Sequence, residues 1–125
     1  MHILLDTHLF IWWLKNDRHL SKKACSIILN AHEVYISSVS IWEAAIKIRV
    51  GKLDAKIADL INSIEKEGFI ELPLTAKHAG FVTELPPYHR DPFDRVLVAQ
   101  CICEPLRLLT ADMQLKPYSE LIEIV

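Results

Sequence analysis

The stretch that decides the fold runs from His89 to Gln100 and reads His-Arg-Asp-Pro-Phe-Asp-Arg-Val-Leu-Val-Ala-Gln. Asp91 followed by Pro92 predicts a helix start, because an N-cap carboxylate accepts hydrogen bonds from free backbone N–H groups and proline at the first helical position loses none. From Phe93 onward the helix is apolar on nearly every side, so we expect it to be buried. Asp94 is then a carboxylate in the first turn of a buried helix.

Two interpretations of these two aspartates are open. Both could serve only the helix N-terminus, where each would stabilise the helix by about 1 kcal/mol. Alternatively, at least one of them belongs to a functional site. The positions of the other acidic residues bear on this choice.

Short apolar strands alternate with helical segments along the rest of the chain, and no hairpin signal separates them. Such alternation predicts an α/β fold with a central, mostly parallel sheet of four to five strands and helices on both faces, built as one domain over residues 1–125. The predicted strands span residues 3–5, 33–37, 69–72, 107–110 and 122–125, and the predicted helices, besides the one after Asp91, span 8–15, 21–31, 38–50, 55–67 and 75–85. Ser38 is the predicted N-cap of the helix 38–50, whose apolar residues predict cover on two sides.

Four acidic residues share a predicted location. Asp6 and Asp112 come directly after strands, Asp94 opens the buried helix, and Glu43 lies on a narrow polar stripe of the helix that follows the second strand. Ligands bind open α/β sheets at the carboxyl ends of the strands. Taken alone, Glu43 is equally explained as the partner of Lys47 in a surface ion pair worth about 0.3–0.5 kcal/mol.

Carboxylates gathered at one edge need a counter-charge. At about 4 Å separation they repel by around 4 kcal/mol per pair at an effective dielectric constant of 20. Mg²⁺ and Mn²⁺ prefer oxygen ligands and would remove this conflict. An acidic cluster that holds such ions is suited to phosphodiester hydrolysis, since a bound ion activates water and stabilises the leaving oxygen.

Composition narrows the class of protein. The chain has 125 residues, of which 51% are hydrophobic, and a formal net charge of −2. One domain of this size buries a core without disulfides, and the apolar excess suggests that another chain covers part of the surface. No apolar run reaches the roughly 18 residues of a membrane span, and no signal peptide is recognisable, so we expect a cytoplasmic protein without membrane contact.

Four groups of residues, in chain order, resemble the motifs of a known family: Leu5 to His8 with Trp12-Trp13-Leu14, Ser37 to Glu43 with Ile46-Lys47 and Gly51-Lys52-Leu53, Leu85-Pro86 to Gln100, and Leu109 to Asp112. Together they look like a PIN domain of the VapC toxin type, over essentially the whole chain. The resemblance implies a Mg²⁺- or Mn²⁺-dependent ribonuclease on a parallel sheet, acting as the toxin of a toxin–antitoxin pair. It further implies an RNA substrate, a cognate antitoxin that inhibits the enzyme, and a homodimer.

Carried over by position, the resemblance assigns catalytic and metal-binding roles to four acids. Asp6 matches the first metal-binding acid, Glu43 the helical acid, Asp94 the third and Asp112 the fourth. Many family members have one aspartate before the apolar helix, whereas this chain has Asp91 as well. Asp94 is favoured because Asp91-Pro92 is already accounted for as a helix start.

Further residues are candidates for direct metal or phosphate contact. Thr110 matches the hydroxyl residue that usually stands two positions before the last acid. The side chains of His89, Arg90 and Arg95 flank the acids and could bind phosphate; Arg95 could instead pair with a carboxylate.

Trp12 and Trp13 have two possible roles as well. They are either core residues or part of a surface for a second copy or for the antitoxin.

Three other functions are compatible with parts of this pattern. A phosphotransferase would typically have a second aspartate two residues after Asp6, where this chain has His8. A binding module that acts only by protein contact would be favoured by a missing acid, and none of the four is missing. A DNA nuclease, including a structure-specific one, remains open because the same metal chemistry cleaves either nucleic acid.

Overall fold

The computed structural model describes residues 1–125 and contains one five-stranded sheet in the order β3-β2-β1-β4-β5. Every neighbouring pair of strands is parallel. The predicted α/β architecture is therefore confirmed, with five strands and no antiparallel pair. The strands are β1 (His2–Leu5), β2 (Glu33–Ser37), β3 (Ile70–Leu72), β4 (Arg107–Thr110) and β5 (Ile122–Ile124).

The helices that connect the strands cover both faces of this sheet. Six are α-helices: α1 (Thr7–Lys15), α2 (Lys22–Asn30), α3 (Ser38–Arg49), α4 (Ile57–Lys66), α5 (Ala76–Phe81) and α6 (Pro92–Cys103). Two 3₁₀ helices span Val82–Glu84 and Met113–Tyr118. None of these helices combines the length and the apolar character needed to cross a membrane.

The alternation of side chains along β1 shows how the two faces are filled. Leu4 packs into a cluster that contains Leu97 and Val98 of α6, whereas Ile3 and Leu5 pack into a second cluster on the opposite face. Successive residues of a strand point to opposite sides of its sheet, so an all-apolar β1 must be covered twice. The predicted burial of α6 is confirmed, because Leu97, Val98 and Ala99 are fully buried.

The strand order around β1 creates a crevice at the carboxyl ends of the strands, which we call the binding edge. β1 pairs with β2 on one side and with β4 on the other, so the connections leave the centre of the sheet in opposite directions. A crevice forms at the carboxyl ends of strands where the strand order reverses in this way. Asp6 and Asp112 follow β1 and β4, which places them on this crevice.

The start of α3 differs from the prediction. Ser37, not Ser38, is the N-cap, and its hydroxyl accepts a hydrogen bond from the Val39 backbone N–H at 3.0 Å. The Ser38 hydroxyl instead accepts from the Leu74 N–H at 3.0 Å. Either serine satisfies the preference for a hydroxyl at this position, so only the tertiary contacts of each one distinguish them.

The outer face of α3 is also less covered than its composition suggests. We expected apolar cover on two sides, yet Trp42 is 59% exposed and Ile46 is 41% exposed. The polar stripe is the buried part: Ser40 and Glu43 lie in the interior. The helix therefore directs Glu43 inward, toward the binding edge.

Two helices are shorter than predicted. The helix after Lys56 begins at Ile57 instead of Ala55, and its N-cap has no side-chain hydrogen bond. The helix capped by Thr75 ends at Phe81 instead of continuing to Leu85 and passes into the 3₁₀ turn at Val82–Glu84.

Candidate active site

Asp6 lies at the centre of the binding edge. It is the N-cap of α1, and its Oδ1 accepts a hydrogen bond from the Leu9 backbone N–H at 2.8 Å. Its Oδ2 accepts from the Thr110 hydroxyl at 2.5 Å. The carboxyl group is thus held by two donors from different elements while being only 4% exposed.

Thr110 links the first acid to the fourth. Besides donating to Asp6, its Oγ1 accepts a hydrogen bond from the Asp112 backbone N–H at 3.0 Å. Asp112 in turn caps the 3₁₀ helix through Oδ1, which accepts from the Gln114 N–H at 2.9 Å. Thr110 therefore positions both Asp6 and Asp112 through its hydroxyl.

The structure distinguishes Asp91 from Asp94. Asp91 is the N-cap of α6, with Oδ1 accepting from the Phe93 N–H at 2.9 Å. Asp94, in the first turn, faces a cavity of about 260 Å³. The lining of that cavity is Asp6, His8, Trp12, Asp94, Ala111 and Asp112. Geometry thus supports Asp94 over Asp91 as the third acid, because only Asp94 shares a cavity with Asp6 and Asp112.

Glu43 is close enough to the aspartates for its charge to raise the pKa of both Asp94 and Asp6. It lines a neighbouring groove with Lys47, Arg90 and Asp91, and its Oε2 accepts from Lys47 Nζ at 2.9 Å. The side chain is 6% exposed, and Oε1 has no hydrogen-bond partner. Buried carboxylate oxygens are normally paired, so this orphaned oxygen marks a position that favours a positive ligand.

The packing of α3 against its neighbours brings Glu43 toward the aspartates. The helix α3 packs against both α1 and α6. At the contact with α1, the Thr7 hydroxyl donates to the buried Ser40 hydroxyl at 2.9 Å. On the sheet side, the Ser37 hydroxyl donates to Gln100 Oε1 at 2.6 Å. These buried hydroxyl and amide contacts were not predicted from the sequence; the three serines among residues 37–40 were the available signal.

Crowding of the acids changes their protonation. Burial, the largest cause, and the negative charges of Asp91, Asp6 and Glu43 together raise the pKa of Asp94 to about 7, although His89 opposes the shift. The pKa of Asp6 is also raised, mainly by burial and in small part by Glu43, although the hydrogen bonds from Thr110 and Leu9 oppose the shift. Because both pKa values are raised, ionising all of these carboxylates lowers the stability of the folded protein.

The donor set fits a hard divalent cation. Carboxylate oxygens of Asp94 and Asp112 and a ring nitrogen of His89 lie within 4.8 Å of one another, and Asp6 lines the same cavity. Carboxylate oxygens are the ligands that Mg²⁺ and Mn²⁺ prefer. A cation would also offset the burial and the repulsion that raise the pKa of Asp94 and would balance the unpaired Glu43 oxygen.

The flanking basic residues differ in what they contact. Arg95 does not line the aspartate cavity and pairs with no carboxylate: its guanidinium donates to the carbonyls of Pro86, Val82 and Leu85 at 3.0–3.3 Å. Five fixed donors suit a guanidinium to such a loop, so the predicted pairing of Arg95 with a carboxylate is wrong. Arg90 is exposed and lines the Glu43 groove.

Trp12 and Trp13 have separate surroundings. Trp12 is half-buried on the wall of the aspartate cavity and stacks on His19. Trp13 donates from its indole N–H to Glu67 Oε1 at 2.8 Å and packs beside Phe69. Neither indole is enclosed in the core.

The chain matches known proteins over nearly its whole length. The family model described as the PIN domain matches residues 3–121. A relative named Ribonuclease VapC22, from Mycobacterium tuberculosis (strain ATCC 25618 / H37Rv), is 27% identical over 119 residues, which cover 93% of this chain and 91% of the relative.

Solved structures with the same fold are more distant in sequence. The crystal structure of VapBC2 from Rickettsia felis bound to a DNA fragment from their promoter gives a TM-score of 0.71 at 16% identity, covering 99% of this chain and 98% of that one. A toxin–antitoxin complex from Klebsiella pneumoniae gives 0.67 at 15% identity, with 97% and 95% covered. FitAcB from Neisseria gonorrhoeae gives 0.62 at 20% identity, with 90% and 88% covered.

Proposed function

Since the chain belongs to the PIN domain family, we propose that it is a Mg²⁺- or Mn²⁺-dependent endoribonuclease and the toxin of a toxin–antitoxin pair. The observation that carries the proposal is the cavity in which Asp6, Asp94 and Asp112 meet at the carboxyl edge of a parallel sheet. The name of the mycobacterial relative supports RNA as the substrate. The Klebsiella complex supports an antitoxin as partner.

Each acid has a defined part in the proposed reaction. Asp6, Asp94 and Asp112 hold the ion, and Glu43 either completes the site through water or accepts a proton from the attacking water. When bound, a divalent ion would activate water for attack on phosphorus and stabilise the charge that develops on the phosphate. Thr110 keeps Asp6 and Asp112 in place through its two hydrogen bonds.

The RNA backbone would cross the edge beside the acids. Lys47 and Arg90 line the groove next to Glu43 and can hold phosphates, because cationic side chains supply the sequence-independent part of nucleic-acid binding. The formal net charge of −2 gives no general attraction to RNA, so binding would depend on these local cations and on the metal.

Two protein partners complete the proposal. The cognate antitoxin would cover the helix surface around Trp12 and Trp13 or place a basic side chain among the acids. A homodimer is expected as well, with the cytoplasm as the location where RNA and antitoxin meet.

The antitoxin surface leads to one prediction. Trp12→Ala should weaken antitoxin binding at least tenfold in a pulldown or titration, because half-buried aromatic residues contribute strongly to interfaces. The exposed Trp42 of α3, which packs edge-on against Phe93 and not in the aspartate cavity, serves as the control substitution to alanine. Unchanged affinity of the Trp12 variant would place the antitoxin elsewhere.

Cleavage by the purified, partner-free protein tests the proposed function. A panel of structured RNAs and DNAs is incubated with Mg²⁺ or Mn²⁺, and in parallel with EDTA. The variant Asp6→Asn removes an acid of the site, and Asp59→Asn removes an exposed acid of α4 as a matched control. We expect RNA cleavage by wild type and Asp59→Asn, and none with EDTA or by Asp6→Asn.

The other outcomes identify the alternatives. Preferential cleavage of DNA would replace the ribonuclease with a DNA nuclease, including a structure-specific one. If wild type and Asp6→Asn are equally inert and calorimetry finds no bound metal, the acids are structural and the protein acts as a binding module.

A further inference from the structure

One imidazole lies between the third and fourth acids. His89 Nε2 is 2.8 Å from Asp112 Oδ2 and 3.5 Å from Asp94 Oδ2. The His89 side chain is 13% exposed, so it is a built part of the site and not a surface group. Its chemistry permits three roles: a nitrogen ligand of the metal, a phosphate contact, or a donor that orients the two carboxylates.

We propose that His89 is a positioning residue, which donates from Nε2 to hold Asp112 beside Asp94 and does not itself bind the metal. The inference rests on the proposed function, because it concerns the same acids. In this proposal His89, which lies in the loop before α6 and outside the sheet, organises the metal site.

The tautomer of His89 is determined by its other nitrogen. The backbone N–H of Asp91 donates to His89 Nδ1 at 3.0 Å. A backbone N–H can only donate, so Nδ1 must offer its lone pair and the ring proton is on Nε2. Nε2 then donates to Asp112, and the 2.8 Å distance is that of a hydrogen bond.

The same contact argues against a nitrogen ligand. Metal binding through Nε2 needs a lone pair there, which moves the ring proton to Nδ1. That proton would face the Asp91 N–H, and the hydrogen bond between them would be lost. Because Asp91 is the N-cap of α6, this loss would occur at the helix that carries Asp94.

The backbone of His89 is held as firmly as its ring. Its N–H donates to the Tyr118 hydroxyl at 2.9 Å, and Arg95 donates to that hydroxyl at 3.2 Å. Arg95 also binds the carbonyls of the preceding loop, including Pro86 at 3.0 Å. Contacts with the 3₁₀ helix Met113–Tyr118, with α6 and with the loop before α6 therefore hold His89 in place without any ligand.

The expected effect of His89 is to orient the Asp112 carboxylate toward the metal site. Asp112 is the most solvent-accessible of the three aspartates, with a side chain 37% exposed, and has only the Gln114 N–H on Oδ1 and His89 on Oδ2 to restrict it. Groups that orient metal ligands typically contribute 10–100-fold to metal affinity. Without His89, Asp112 would rotate into solvent and Asp94 would lose its one nearby donor.

Two measurements test this role without relying on catalysis. In metal-free protein, ¹⁵N NMR of the His89 ring should show the proton on Nε2; a proton on Nδ1 overturns the inference. Calorimetric titration with Mn²⁺ should show binding about 10–100-fold weaker in His89→Ala than in wild type, and partial recovery in His89→Gln, whose amide N–H can donate to Asp112. His2→Ala, at the start of β1, is the control and should bind as wild type does.

Electron spin-echo spectroscopy of bound Mn²⁺ distinguishes a His89 that orients Asp112 from a His89 that binds the metal directly. We expect no directly coordinated nitrogen in wild type; a nitrogen signal that disappears in His89→Ala would make His89 a ligand and overturn the inference. Equal Mn²⁺ affinity of wild type and His89→Ala, with both folded by circular dichroism, overturns it too. Wild type that binds Mn²⁺ but cuts no RNA would instead overturn the proposed function alone.

Discussion

At the scale of single residues, Thr110 shows how one hydroxyl can serve two acids. It donates to Asp6 Oδ2 and accepts from the Asp112 N–H, and it is fully buried. Thr110→Val removes both hydrogen bonds and keeps the shape, so the free energy of unfolding should fall by about 1–3 kcal/mol. Urea denaturation in EDTA measures this. Thr110→Ser keeps the hydroxyl and should lose clearly less; equal losses in the two variants would contradict the assigned role.

Asp94 leads to a prediction about pH. Its pKa is about 7 in the folded protein against an ordinary value of 3.8, so between these values the folded state binds more protons than the unfolded state. Stability of the metal-free protein should therefore fall as the pH rises from about 4 to about 7, and the loss should be complete above pH 7. Allowing for partial exposure, we expect a loss of about 1–3 kcal/mol from this group.

The variant Asp94→Asn isolates that contribution. It should be more stable than wild type at pH 8 in EDTA and should show no such advantage at pH 4, because the wild-type carboxyl is then protonated. Urea denaturation across this pH range measures the difference between the two proteins. A difference that does not vary with pH would mean that Asp94 is not a strained carboxylate.

At the scale of elements, Ser37 joins the end of β2 to both α3 and α6. Its hydroxyl caps α3 and donates to Gln100 of α6 at 2.6 Å. Ser37→Ala should lower the free energy of unfolding by about 1–2 kcal/mol, because it removes an N-cap and leaves a buried amide oxygen without its donor. Ser38→Ala, which removes only a contact to the exposed Leu74, should cost less. The opposite order would restore Ser38 as the functional cap.

At the scale of the whole molecule, metal binding should be visible as stability. An ion that binds only the folded chain adds about 2.7 kcal/mol to the free energy of unfolding at a concentration 100 times its Kd. We expect Mn²⁺ to raise the thermal midpoint of the wild-type protein and to leave Asp6→Asn nearly unchanged. Equal shifts in the two proteins would indicate binding away from the acid cavity.

Much of the fold followed from local patterns. The five strands were predicted within one residue at each end, because each is a short apolar run beside turn residues. The capped start of α6 was predicted at Pro92, because an aspartate followed by proline is a local signal for a helix start. Helix ends were less predictable: Lys56 caps α4 without a side-chain hydrogen bond, and the chain after Phe81 tightens into a 3₁₀ turn. Both depend on how the segments pack, not on their composition.

The sequence by itself determined the parallel α/β architecture and the placement of acids near one edge of the sheet, since periodicity, capping and strand ends are properties of neighbouring residues. Only the tertiary structure decided which side chains meet. It placed Asp94 and not Asp91 in the cavity, turned Arg95 onto loop carbonyls, and exposed Trp42. The physical reason is the range of the contacts: the bond from Thr110 to Asp6 joins residues 104 positions apart. Its geometry depends on packing of the whole sheet, which no local pattern records.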